Sequence, residues 1–344
     1  MMRIIDSHTH LCFRKPEKLL EMADRYGYDS LTVLGLACCD LPLDNVECLT
    51  VKALAPERAY VYGSMAYPRG FEPTRGTHVK QLEMLMEAGF DGWKLLESKP
   101  SEYRNLQLPL DGDLFDGAFA LAEETGFPVT WHAGDPATFW DAEKAPKMAV
   151  ENNWLCVGEG YPELGEIYRQ VENVLKRHPK LKATLAHLFF TSDDRRHAER
   201  LLDTYEDLRL DITPGVEMYQ AFLADREGWI AFFEKYADRL IFGTDMMDDE
   251  KEVVFGDQGA LNEFINRAMT EKGEFEVRGM GGTGMGLSDE IMRKIYAGNY
   301  LKRVIGTPRV INKSGLGRYL DWLHPYLNEA EASREAELKI IFGL

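Results

Sequence analysis

The residues that could do chemistry begin in the first eleven positions. Ile4-Ile5-Asp6-Ser7-His8-Thr9-His10-Leu11 reads as a short apolar strand ending in Asp-x-His-x-His. Side chains alternate across a strand, so His8 and His10 face the same way. Two imidazoles on one stiff element can grip one metal ion, and Asp6 lies on that face one step deeper. Taken alone, a His-x-His is as readily a surface accident. It becomes a ligand pair when further ligands arrive at equivalent places.

They arrive at the ends of later apolar runs. Gly92-Trp93-Lys94-Leu95-Leu96 sets a lysine within such a run. Pro-Val-Thr-Trp-His ends at His132, Ala-Thr-Leu-Ala-His ends at His187, and Leu-Ile-Phe-Gly-Thr-Asp ends at Asp245. Neutral imidazoles suit zinc and other borderline ions, and a carboxylate adds negative charge. Each residue has a plainer reading. His132 or His187 alone would be a hydrogen-bonded core histidine, Asp245 a helix cap, Lys94 a lysine on an exposed strand. Those readings do not explain why all the strand ends mimic ligands together. His78, His178, His197 and His324 fall in helical or loop contexts and read as solvated or helix-terminal residues.

Such residues meet only if the chain gathers the ends of separate strands. Eight candidate strands are legible: residues 3–9, Ser30–Leu36, Ala59–Ala66, Asp91–Leu96, Pro128–His132, Ala183–His187, Leu208–Thr213 and Leu240–Asp245. Amphipathic segments lie between them. Pro16 opens one at a first-turn position. Leu164, Ile167, Val171, Val174 and Leu175 form an apolar stripe at helical spacing, closed by His178-Pro179. Met218–Tyr236 is another, rich in aromatics. Eight strands alternating with helices predict an α/β chain folded as a parallel (β/α)8 TIM barrel, whose strands' C-terminal ends share one mouth. A doubly wound sheet is the other candidate, but its first turn should be rich in glycine, and here that turn carries histidines.

After the eighth strand the pattern loosens. Residues 246–287 hold one predicted helix, 257–271, and end in a glycine-rich stretch, 279–286. No Gly-Lys-Ser/Thr follows it, so it is not a phosphate loop; it reads as a flexible loop, with a mobile cover over the barrel mouth as the lesser reading. Ser288 is the expected N-cap of a helix Asp289–Ile305. The expected division is a barrel over 1–306 and a helical extension over 307–344, packing on the barrel or on a partner subunit.

The chain has 344 residues, 45% of them hydrophobic, enough for a large core. Its 57 acidic and 40 basic residues give a formal net charge of −17, which argues against nucleic acid or an anionic membrane as partner. A small-molecule substrate and a possible homo-oligomer are the expected partners. No apolar run is long enough to span a bilayer. Met-Met-Arg-Ile-Ile-Asp lacks a secretory apolar region. Five cysteines without CxxC spacing read as reduced thiols. A cytoplasmic location is the simplest expectation. The vicinal Cys38-Cys39 reads as packing, and no Gly-x-Ser-x-Gly elbow signals a serine nucleophile.

The order His-x-His, Lys, His, His, Asp over eight strands resembles the amidohydrolase superfamily, and most of all its amidohydrolase-2 branch of metal-dependent hydrolases. Ile295-Tyr296-Ala297-Gly298-Asn299-Tyr300-Leu301 is also similar to that branch, and the resemblance spans roughly 3–305. It implies that His8 and His10 bind a buried metal with Asp245. It implies that His132 and His187 hold a second metal in a binuclear site, bridged by a carbamylated Lys94, and this is the favoured arrangement. In mononuclear members the set is His8, His10, His132 and Asp245. His187 is then a free acid/base or carbonyl polariser, and Lys94 pairs with a substrate anion. The implied cofactor is one or two divalent ions per chain, zinc first and manganese second. The implied reaction is hydrolysis of an amide, lactone or other ester, with Asp245 as base and His187 assisting. Non-oxidative decarboxylation of an aromatic or unsaturated acid is the alternative, and isomerisation of a sugar acid stays open. A non-catalytic metal-binding protein would be expected to have lost a ligand, and none is lost. Arg69, Tyr103, Arg104, Trp131, Phe189 and Phe190 are candidates to line the pocket.

Overall fold

Residues 2–215, 218–252, 255–303 and 306–344 are described in a computed structural model. Nine parallel segments form one sheet: β1 (Ile5–His10), β2 (Ser30–Leu34), β3 (Ala59–Ser64), β4 (Gly92–Ser98), β5 (Val129–Ala133), β6 (Ala183–Leu185), β7 (Arg209–Asp211), β8 (Leu240–Ile241) and β9 (Met246–Met247). Their order is β8-β7-β6-β5-β4-β3-β2-β1-β9. β8 and β9 are neighbours in the chain yet lie at opposite ends of that order, so the sheet curls into a (β/α)8 barrel. The Ser7 amide donates to the Phe242 carbonyl (3.1 Å) and the Asp245 amide to the His8 carbonyl (2.9 Å), which stitches this last segment onto β1.

The predicted eighth strand, Leu240–Asp245, is thus strand only over Leu240–Ile241; it ends in a bend where Asp245 takes a φ of 61°, and Met246–Met247 beyond it pairs with β1. The sixth is shorter than predicted: it stops at Leu185, and His187 belongs to the turn that follows. β1 to β5 are buried along their whole length, as parallel strands covered on both faces must be.

The covering helices follow the apolar stripes. Pro16–Arg25 buries Leu19, Met22 and Ala23, and Leu164–Arg177 buries Ile167, Val171, Val174 and Leu175. Met218–Tyr236 is not one helix but two, Met218–Ala224 and Arg226–Lys235. Ser288 Oγ accepts from the Ile291 amide (3.4 Å) and caps Asp289–Arg293. A π-helical segment, Lys294–Gly298, leads into Asn299–Arg303; the predicted end at Ile305 lies outside the described residues. Asn299 Nδ2 donates to the Ala237 and Leu240 carbonyls, both at 2.7 Å, and pins this segment beneath β8.

The glycine-rich stretch is where the sequence reading fails. It is a hairpin, β10 (Glu274–Val277) with β11 (Met280–Thr283), antiparallel. Gly279 turns it with a φ of 82°. A Cβ on Gly281 would lie 2.0 Å from the Phe275 carbonyl oxygen. The glycines permit close strand approach, so they signal tight pairing and not slack.

Beyond the barrel, Lys313–Leu323 lies along Thr77–Ala88, and Glu329–Phe342 reaches Asp44–Leu54. No helix among the described residues is long and apolar enough to cross a membrane.

Candidate metal centre

His8 and His10 leave β1 side by side, and both imidazoles are held from behind. His8 Nδ1 lies 3.0 Å from Asp211 Oδ2, and His10 Nδ1 lies 2.9 Å from the Leu34 carbonyl. These acceptors fix the proton on Nδ1 in each ring, which leaves both Nε2 lone pairs free. Both point at one atom: Asp245 Oδ1 is 3.5 Å from His8 Nε2 and 3.3 Å from His10 Nε2. Histidine backed by a carboxylate or carbonyl is the usual support of a metal-binding imidazole.

The electrostatics fit a cation. Burial and the nearby Lys94 push the His8 pKa down to about 3, so its ring is neutral at ordinary pH. Burial opposes ionisation of Asp245, but His10 and the other adjacent histidines hold its carboxyl well below the usual range. Two lone pairs and a carboxylate oxygen therefore converge with no proton between them. That arrangement favours a positive group, and Lys94 already stands on one side of it. Among the described residues, these three form the set able to hold a metal, with donor atoms within 4.8 Å of one another.

Lys94 is wholly buried, and its Nζ stands 3.3 Å from His8 Nε2. Burial lowers its pKa to about 8, so a neutral amine is within reach near neutral pH.

His132 and His187 fall outside the three-residue set. Their rings are near it, with centroids 4.8 Å apart and that of His187 5.0 Å from His8. His132 Nε2 is 3.3 Å from Asp135 Oδ1, and Asp135 is paired with Lys99 at 2.8 Å. His187 Nδ1 lies 3.3 Å from the Thr213 carbonyl, which leaves Nε2 as an acceptor. Burial lowers the His187 pKa. A neutral ring with that tautomer can bind a cation or take a proton. Polarising a substrate carbonyl, the other role expected of it, calls for the protonated ring.

Sequence reading missed Asp211, Asp135 and Lys99. Asp211 had a signal: like His10, it ends a strand. Its Oδ1 also accepts from the His187 amide (2.7 Å), so one buried carboxylate serves two histidines. Burial resists its ionisation, but His8 holds its pKa below the usual value.

A cavity of about 420 Å³ opens above these residues. Phe139, Trp154, Phe190, Phe255 and Phe264 furnish much of its wall, Met280 of the hairpin contributes to it, and Lys99 lines it too. Arg69 is exposed beside Asp40, and Arg104 is exposed beside Tyr161; neither lines the cavity, nor does Tyr103. Trp131 and Phe189 are core residues. His78, the second residue of Thr77–Ala88, and His178, which closes Leu164–Arg177, are helix-terminal as expected, and both are buried. Cys38 is buried, while Cys39 reaches the cavity.

The sequence model of the amidohydrolase family matches residues 47–300. No curated protein sequence matches. Among solved structures, an uncharacterised TIM-barrel protein from Bordetella bronchiseptica superposes with a TM-score of 0.57 at 15% identity, over 88% of this chain and 98% of that one. A 2,6-dihydroxybenzoate decarboxylase bound to 2,6-dihydroxybenzoate gives 0.54 at 14% identity, over 88% and 98%. A dihydroxybenzoic acid decarboxylase from Polaromonas, with bound manganese and 2-nitroresorcinol, gives 0.53 at 15%, over 88% and 97%. At such identities the likeness shows the barrel and not the reaction.

Proposed function

The chain belongs to the amidohydrolase family, and from that premise we propose that it is a hydrolase using one divalent cation, zinc or manganese, held by His8, His10 and Asp245. The bond cleaved is an amide, lactone or other ester of a small molecule. The observation that carries this reading is the convergence of two backed imidazoles on one carboxylate oxygen.

A cation in this site supplies a Lewis acid and lowers the pKa of water to about 7. Asp245 takes the proton of the attacking water as its oxygen bonds to the carbonyl carbon, then passes that proton to the leaving group. His187 Nε2 faces the same space as a neutral acceptor, and His132 is held against Asp135. The aromatic side chains on the cavity wall lower the local dielectric, which strengthens each of these interactions. Lys94 beside His8 is placed to pair with an anionic substrate group or, carbamylated, to act as a further ligand.

Asp245→Asn tests the base. It should lower kcat on the best substrate in a panel of lactones and amides by about 100-fold or more. A kcat near wild type would remove Asp245 from that role.

Decarboxylation of an aromatic acid is the second reading, favoured by the aromatic cavity wall and its lysines. The dihydroxybenzoate decarboxylases share the fold. Release of CO2 from hydroxybenzoates, with no turnover of lactones or amides, would establish it in place of hydrolysis.

A further inference from the structure

We infer that Phe190 is a positioning residue: a left-handed turn delivers its ring onto His187 and beside His132, and so fixes both imidazoles at the cavity wall. This rests on the reading of the site as catalytic.

The turn itself is the first observation. His187, Leu188, Phe189 and Phe190 have φ values of 52°, 53°, 57° and 52°. Non-glycine residues enter this region singly, at a cost of about 1–2 kcal/mol each, and seldom in runs. Something must hold four of them there. Asp211 Oδ1 accepts from the His187 amide, and Thr191 Oγ1 donates to the Leu188 carbonyl (2.7 Å). Leu188 and Phe189 are fully buried, and the Phe189 ring packs 4.6 Å from Tyr168.

What the turn achieves is the second observation. With about three residues per turn, positions i and i+3 eclipse. His187 and Phe190 are such a pair. Their rings stack at 5.2 Å with 30° between planes, while Leu188 and Phe189 point into the core. The same Phe190 ring stands 5.3 Å from His132. Aromatic pairs at these distances gain from stacking beyond simple burial. A strand running straight on past Leu185 would lose that eclipse. Strain held at a site by its surroundings is a recognised way to fix functional groups.

The test uses Phe190→Ala, Phe190→Gly and Phe190→Tyr in the full chain. In the left-handed region glycine outranks alanine, so Phe190→Gly should melt about 2 °C above Phe190→Ala. The reverse order would contradict the turn. Diethyl pyrocarbonate, mapped by peptide in metal-stripped protein, then reads His132 and His187 directly. Phe190→Ala should raise their modification rates at least about tenfold, and Phe190→Tyr should restore them to wild type. Equal rates in all three would overturn the proposal, since a purely structural role moves Tm and not these two rings. Zinc titration separates this from the site reading. A wild-type chain that takes no zinc overturns the metal site, and the modification rates still decide Phe190.

Discussion

Single residues divide here into those that face the reaction and those that aim them. Asp211 is of the second kind, and it makes the sharpest prediction at this scale. Asp211→Asn keeps the shape but removes the charge behind His8 Nδ1. Supporting carboxylates of this type are worth about 10–100-fold in metal affinity. Zinc titration of Asp211→Asn should show a Kd raised by that factor with the fold retained. An unchanged Kd would mean that His8 needs no such support. His8, His10 and Asp245 were legible in the sequence because type, spacing and position at strand ends all agreed. His132 and His187 were legible as strand-end residues, but their partners were not. Whether a ring nitrogen faces a cation or a carboxylate depends on Asp135 and Thr213, which no periodicity announces.

At the scale of elements, β4 carries Lys94 on one face and Glu97 at its end. Glu97 is fully buried; Oε1 lies 3.0 Å from the Tyr67 hydroxyl, and Oε2 accepts from the Leu96 amide. The Tyr67 hydroxyl is also 2.9 Å from His78 Nε2. His78 Nδ1 faces the Leu114 carbonyl (3.1 Å), so Nε2 is an acceptor; one hydroxyl hydrogen cannot serve both it and a carboxylate, which favours a protonated Glu97. Burial pushes its pKa up to about 7, against about 4.3 when unfolded. The folded chain therefore holds a proton that the unfolded chain has released. This contribution is full below the unfolded value and is lost as pH rises to about 7. Glu97→Gln should flatten that part of the curve, so its Tm should gain on wild type between pH 5 and about 7.5. Parallel curves would contradict a neutral Glu97. The hairpin β10–β11 teaches a lesson about elements too. Its glycines look like slack in one dimension and are close contacts in three.

For the whole molecule, the alternation of strands and helices was enough to predict the barrel, because a parallel strand buried on both faces leaves an unbroken apolar run. The bend at Asp245 and the left-handed turn after β6 were not legible, since tertiary hydrogen bonds impose both. Asp91 shows how the chain is tied together. It takes hydrogen bonds from Lys52 Nζ (2.7 Å), the Val61 amide (2.8 Å) and the Arg309 amide (2.7 Å), joining a barrel helix, β3 and the C-terminal segment. Lys52 is 1% exposed. Asp91→Ala would leave that ammonium buried with the Gly89 carbonyl but without its charged partner, a loss of about 3–5 kcal/mol in denaturant unfolding. A loss under about 1 kcal/mol would show that Lys52 finds water instead.

The central claim is that this barrel holds a divalent cation between His8, His10 and Asp245. The direct test is metal content per chain by elemental mass spectrometry, on protein prepared without chelator and with bicarbonate added. The prediction is close to one zinc or manganese per wild-type chain and close to none in His8→Ala/His10→Ala. Two per chain would contradict the single-ion site and return Lys94 to a bridging role. No metal in the wild type, even after zinc and manganese are offered, would contradict the claim itself.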